Sequence, residues 1–303
     1  MTERGLGART SNVTRRIVGS VHWPGTADGG GRGRVSVRMV IGTTAAVLLV
    51  VVIVVSVALW FERGGGPRTV SACWIKAQPS HTYTIDLEQA ANATTISAVG
   101  KRLGLPDHAV TVALAAALQE SQLRNLHYGD RDSLGLFQQR PSQGWGTPAQ
   151  LLDPQYAAGA FFKALAQVPG WETRSVTSAA QAVQHSGAPG AYATWVPLAR
   201  RLAIAATGEV PAGLTCQFAL GRSTTPPRSV APVLTRLFGP NALGPPSSQA
   251  RGWAIATWLV AHAEPYRIVS VRFATREWTP SGDWRTTQAN GGVQVTQSTL
   301  ATG

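Results

Sequence analysis

The chain has 303 residues and a formal net charge of +12, yet only two cysteines and six histidines. The histidines (His22, His81, His108, His127, His185 and His262) form no His-Glu-x-x-His motif and no cluster, which excludes a zinc site, and no metal or other cofactor is expected. No Gly-rich phosphate loop is present, and no nucleic-acid partner is expected.

Residues 1–38 are rich in Gly, Arg, Ser and Thr and lack any periodic apolar pattern, so they read as a disordered basic segment. Met39 to Phe61 follows, uncharged and rich in valine. It exceeds the roughly 20 residues that span a bilayer as a helix. It is also longer than the apolar core of about 7–15 residues in a secretory signal, and it ends in Leu-Trp-Phe instead of a small-residue cleavage site. Arg4, Arg9, Arg15, Arg16, Arg32, Arg34 and Arg38 precede it, against Glu3 and Asp28. That bias predicts a single-pass protein of the cell membrane, with its N-terminus in the cytoplasm and everything after Phe61 exported.

After a linker over residues 62–72 come the two cysteines, Cys73 and Cys216. Exported thiols are usually paired, so a Cys73–Cys216 disulfide is expected, bracketing a domain over residues 73–216. Inside the bracket the pattern is helical. Ile85, Ala90, Ile96, Val99 and Leu103 fit an amphipathic segment. Pro106 suits the start of a second helix, "PDHAVTVALAAALQES", which is apolar nearly all round and so central and buried. Further helices are predicted over Asp153–Val168, Thr177–His185 and Ala191–Thr207, with Pro197 kinking or restarting the last and Gly208 capping it. No run between the cysteines alternates like a strand, and the domain reads as mainly α.

Glu120 closes the central helix, where partial desolvation and the negative end of the helix dipole both favour a protonated acid. A carboxyl group kept protonated is what cleavage of a glycosidic bond requires of its general acid. The loop that follows supplies the amides of Gln138 and Gln139 and the rings of Tyr128, Phe137 and Trp145, a mixture suited to sugars.

Four stretches together resemble goose-type lysozymes and soluble lytic transglycosylases: Glu120-Ser121, "DSLGLFQQRP", "LLDPQYAAGAFFKAL" and "AVQHSGAPGAY". In that family a Glu-Ser ends a central helix, and a Ser-x-Gly-Leu-x-Gln-x-x-Pro loop lines the sugar cleft. The run "YGDRDSLGLFQQRPSQGWG" is most similar to membrane-anchored actinobacterial members. The resemblance implies a lysozyme-like fold and Glu120 as catalytic acid. It also implies sugar contacts from Tyr128, Asp132, Ser133, Gln138, Gln139, Trp145, Gln184 and Tyr192. Gln184 and His185 stand where the family usually has Tyr and Asn. Asp130 and Asp132 are the nearby carboxylates available for a second catalytic group.

Beyond a Pro/Ser/Thr-rich linker over residues 217–232, residues 233–303 read as a small α+β domain. It has a helix through Trp253, Ile255, Trp258 and Leu259 capped by Ser247 or Ser248, a strand in "RIVSVRFAT", and a strand, turn and return in "REWTPSGDW". This part resembles the end of a C-terminal module of actinobacterial wall hydrolases without its zinc-binding histidines and aspartate. That resemblance implies a non-catalytic module, its arginines suited to anionic wall polymers.

The function expected is cleavage of the MurNAc–GlcNAc β-1,4 bond of peptidoglycan, by lytic transglycosylation or hydrolysis. The alternative is a lysozyme-like protein that binds glycan, or scaffolds other wall enzymes, without cutting. The expected partners are glycan strands, the membrane and other cell-wall enzymes.

Overall fold

A computed structural model describes residues 50–59, 71–78, 81–188, 190–221, 223 and 225–298. The predicted basic segment, the ends of the predicted membrane span and most of the linker after it lie outside the described residues. Residues 50–59 are helical (α1), and valine, isoleucine and leucine side chains are exposed along them. Among the described residues no helix is long and apolar enough to cross a membrane. The remaining described residues, from 71 on, belong to a separate compact unit.

That unit is mainly helical, with small antiparallel sheets; one of them adds strands to the bracketed region, which reads in sequence as mainly α and without strand alternation. β1 (Ala72–Gln78) and β2 (His81–Ile85) form a hairpin, and β3 (Leu214–Gln217) pairs with the other edge of β1, giving the order β2-β1-β3. These strands are short, and the partner of β1 is contributed from the far end of the region. Local alternation therefore carries little signal, and the pairing is decided by tertiary contact. Cys73 and Cys216 are register partners on β1 and β3, and they form the expected disulfide across a sequence separation of 143.

Ile85 ends β2, and Asp86 starts α2 (Leu87–Arg102) with a reciprocal cap: its carboxylate accepts from the Gln89 amide at 2.9 Å, while the Gln89 side chain accepts from the Asp86 amide at 3.0 Å. α3 (Asp107–Ser121) follows and is buried continuously from Ala109 to Leu118. Alanines dominate it, so its neighbours approach closely: α2, α5 (Pro154–Leu165), α6 (Val176–Gln184) and α7 (Val196–Thr207) all pack on it. A short helix, α4 (Pro148–Leu151), leads into α5. The predicted helix over Ala191–Thr207 is divided at the proline: a 3₁₀ turn over Ala191–Trp195 gives way to α7, with Pro197 in its first turn. Gly208 caps α7 at φ 82°.

The C-terminal residues close over this helical array. α8 (Ala231–Phe238) and α9 (Gln249–Ala261, capped by Ser248) pack on α2, and α9 also touches α7 and β3. β4 (Ile268–Trp278) and β5 (Arg285–Gln297) form a hairpin whose turn lies along β3. There the indole N–H groups of Trp278 and Trp284 donate to the carbonyls of Cys216 and Leu214 at 3.0 and 2.9 Å. The Thr215 hydroxyl donates to the Gly282 carbonyl at 2.6 Å. One apolar core runs from β1 through α9 to β5. The regions read as 73–216 and 233–303 thus share a core within a single compact unit.

Candidate active site

Two successive left-handed residues end the central helix: Gln122 at φ 54° and Leu123 at φ 61°. Neither is glycine, so each carries a backbone cost of about 1 kcal/mol or more. Surrounding groups hold the turn in place. The buried Asn92 side chain donates to the Leu123 carbonyl at 2.7 Å, and Gln89 donates to the Gln122 carbonyl at 2.9 Å. Leu123 itself is buried in the core. The last helical turn is thereby clamped by α2, and Glu120 projects from it with restricted freedom.

The Glu-Ser pair divides its labour. Ser121 is buried, and its hydroxyl donates to the Leu136 carbonyl at 2.7 Å, fastening the following loop to the helix end. That loop folds on a two-residue bridge in which Leu134 and Gln139 exchange backbone hydrogen bonds at 2.9 and 3.0 Å. Gly135 makes the fold possible: its φ is 74°, and a Cβ there would lie 2.3 Å from the Leu151 carbonyl oxygen. Glu120 is partly exposed and faces a cavity of about 530 Å³ lined by Gln138, Gln139, Arg140, Trp145, Gln184 and His185, among others.

Behind the carboxylate stands Tyr192. It is fully buried, and its hydroxyl donates to Glu120 Oε1 at 2.7 Å. Burial first, then the hydrogen bond and charge of Glu120, hold the phenol well above its ordinary pKa, so it stays a donor. Oε2 has no protein hydrogen bond among the described residues. On the far wall, α6 ends at His185 with φ 49°, and the Gln184 side chain donates to the Phe137 carbonyl at 2.9 Å. Gln184 therefore ties α6 to the loop under Glu120.

Of the residues singled out in the sequence, Glu120, Gln138, Gln139, Trp145 and Gln184 line this one cavity. Gln139 is nearly buried: its amide nitrogen donates to the Ala157 carbonyl at 3.3 Å, and its oxygen has no partner. Tyr192 adjoins the cavity through Glu120, positioned to orient the acid. Tyr128 is 72 % exposed and, like the buried Ser133, is absent from the lining.

The two candidate second acids stand apart from Glu120. Asp132 accepts from Arg140 Nε at 2.7 Å and from the amide and hydroxyl of Ser142 at 2.8 and 3.0 Å. The Arg140 guanidinium foremost, with those Ser142 groups, holds its carboxyl well below the usual carboxylate range. The Asp130 side chain is 94 % exposed beside Arg131. Among the described lining residues Glu120 is the one acid. Sequence reasoning missed Arg140, His185 and the clamping role of Ser121. Arg140 had a signal, since an arginine eight residues after Asp132 invites a loop-closing pair, whereas His185 needs the αL end of α6 to be known.

No family model matches the chain, and a search of curated proteins returns no match.

Proposed function

We propose that this chain is a cell-wall enzyme that cleaves the MurNAc–GlcNAc β-1,4 bond of peptidoglycan, with Glu120 as general acid, and that it is a lytic transglycosylase. The observation that carries this reading is a cavity in which Glu120 is the one acid among the described lining residues, set among amides, an arginine and rings, with a buried phenol fixing one of its oxygens. An inverting hydrolase would need a second carboxylate about 6.5–9.5 Å across the cleft to activate water. Asp132 is engaged by Arg140 and Ser142, and Asp130 faces solvent. Transglycosylation needs no second acid. Glu120 gives its proton to the leaving GlcNAc oxygen, the 6-hydroxyl of the MurNAc attacks C1, and the hydroxyl proton returns to Glu120. A 1,6-anhydro end is left, and no water is consumed.

The lysozyme-like fold is part of the same proposal, supported by the Glu-Ser helix end and the Gly135 loop beneath it. So is export on a single N-terminal anchor, supported by the uncharged run Met39 to Phe61 and by a disulfide that suits an oxidising compartment. Incubating the full-length chain with purified peptidoglycan and weighing the released muropeptides tests the reading. Anhydro ends are expected. Reducing ends would make the enzyme a hydrolase, and binding without release would make the chain a glycan-binding protein.

A further inference from the structure

The cavity at Glu120 adjoins a second space of about 550 Å³, which shares Trp145, Val183 and His185 with it. That space in turn meets a third, of about 620 Å³, through Trp145, Ala164 and Gln167. The floor of the third is the outer face of α5, where Tyr156, Gly159, Ala160 and Lys163 recur at helical spacing. A Cβ on Gly159 would meet nothing within 4 Å, so the floor is open.

The charges along this extension share one sign. Arg102, Lys163 and Arg174 line it, and among the described lining residues there is no acid. Arg174 donates Nε to the Pro169 carbonyl at 3.1 Å, and its terminal nitrogens have no partner among the described residues. Arg102 and Lys163 make no ion pair among the described residues, whereas the neighbouring Lys101 is paired with Asp107 at 2.9 Å. Three cations in spaces that neighbour the candidate acid's cavity through shared walls form a receptor for carboxylates.

We infer that this cationic extension holds the carboxylates of the peptide stem carried by the glycan bound at Glu120. The inference rests on the proposed function. An acetylated amino-sugar backbone with amide-linked lactyl groups carries no charge, so on such a ligand the carboxylates belong to the stem.

The test uses the full-length chain carrying Glu120→Gln, which blocks turnover, and measures its binding to three probes: peptide-bearing glycan strands, the same strands with their carboxylates amidated, and strands stripped of peptide by an amidase, with the freed lactyl carboxylates then amidated. Each exposed ion pair is weak, so the three together should give about a tenfold preference for the charged strands. That preference should shrink as salt is raised. Adding Arg102→Gln, Lys163→Gln and Arg174→Gln, all surface changes that leave the core untouched, should abolish the preference without altering affinity for stripped strands. Gly159→Gln, which projects into the groove, should reduce it. Equal binding of all three probes, or a preference that survives the triple change, overturns the inference while leaving the proposed function intact. Failure to bind any of the strands overturns both.

Discussion

At the end of α3 the Tyr192 hydroxyl holds Oε1 of Glu120, which lines the cavity, so the acid and its positioning residue are separable by substitution. Under the proposed mechanism, Glu120→Gln keeps an oxygen for Tyr192 but has no proton for the leaving group. Release of anhydro-muropeptides should fall by at least about 10²–10⁴-fold, with strand binding retained. Asp132→Asn, by contrast, should keep most activity, since that carboxylate is engaged by Arg140 and Ser142; equal loss in both variants would reinstate a two-acid mechanism. Tyr192→Phe deletes one hydrogen bond to a carboxylate, worth about 1.5–3 kcal/mol. The expected result is a 10–100-fold drop in kcat with KM little changed and the melting temperature lowered by several degrees; a lowered melting temperature with kcat unchanged would mean Tyr192 is merely packing. A second buried pair makes a pH prediction. His262 is buried against Trp258, with Nδ1 2.8 Å from the Trp258 carbonyl and Nε2 3.2 Å from the Thr95 hydroxyl. A carbonyl only accepts, so Nδ1 carries the proton and Nε2 accepts from Thr95. Burial depresses the imidazole pKa to about 4, against 6.5 in the unfolded chain. The unfolded state therefore binds the proton first as pH falls. Stability from this site is intact above pH 6.5 and declines by about 3 kcal/mol as pH drops toward 4. Urea titrations at pH 7.5 and 4.5 should show that loss, and His262→Gln should remove most of its share.

Among the elements, the β1–β3 pairing is the one whose stabilisation is most readily separated by experiment, because its disulfide closes a long loop. In the chain-entropy model that closure is worth about 5 kcal/mol, so reduction should lower the denaturation midpoint sharply without abolishing the helical signal in circular dichroism. The loop under Glu120 gives a second prediction. Gly135→Ala forces a Cβ against the Leu151 carbonyl at a positive φ, so it should cost several kcal/mol and lose glycan binding along with stability. The positions of α3, α5, α6 and α7 were legible because their apolar residues recur at helical spacing and their ends carry Pro and Gly in the expected places. α2 was legible as a helix but not as a buried one. Asn92, Thr94, Thr95 and Ser97 look like a solvent face in sequence, yet all four are buried. Thr94 and Ser97 return their hydroxyls to the Ala90 and Ala93 carbonyls, and α9 packs on this helix. Nothing local announces that cover. The same holds for β1 and β3, whose partners are set by tertiary contact. Glu120 and the amides of the loop, in contrast, are adjacent in sequence and fold locally, so the sequence placed them together before any long-range contact was known.

At the scale of the whole molecule, the C-terminal residues are a wall of the same core that positions Glu120. α9 lies on α2 and α7, and α2 is the helix whose Asn92 and Gln89 clamp the turn after Glu120. Gly208 marks the closest approach: the left-handed cap of α7 sits where a Cβ would lie 2.0 Å from the Ala250 carbonyl oxygen of α9. Backbone meets backbone there, and a methyl group cannot be relieved by turning a side chain. The indoles of Trp278 and Trp284 add hydrogen bonds to β3 that no solvent would replace in kind. Truncation after Gln217 would uncover the buried hydroxyls of α2 and the far face of β3 at once. The shortened chain should therefore be insoluble or partly unfolded. The intact unit should melt in one transition, because one core runs through both halves. Gly208→Ala is the milder form of the same experiment. It should loosen α9 from α7, lower the melting temperature by several degrees, and raise amide exchange in both α2 and α9 while the β1–β3 disulfide stays formed. A soluble fragment ending at Gln217 that melts cooperatively and still cleaves glycan would show instead that the helical array stands alone, with the C-terminal residues as an accessory cover.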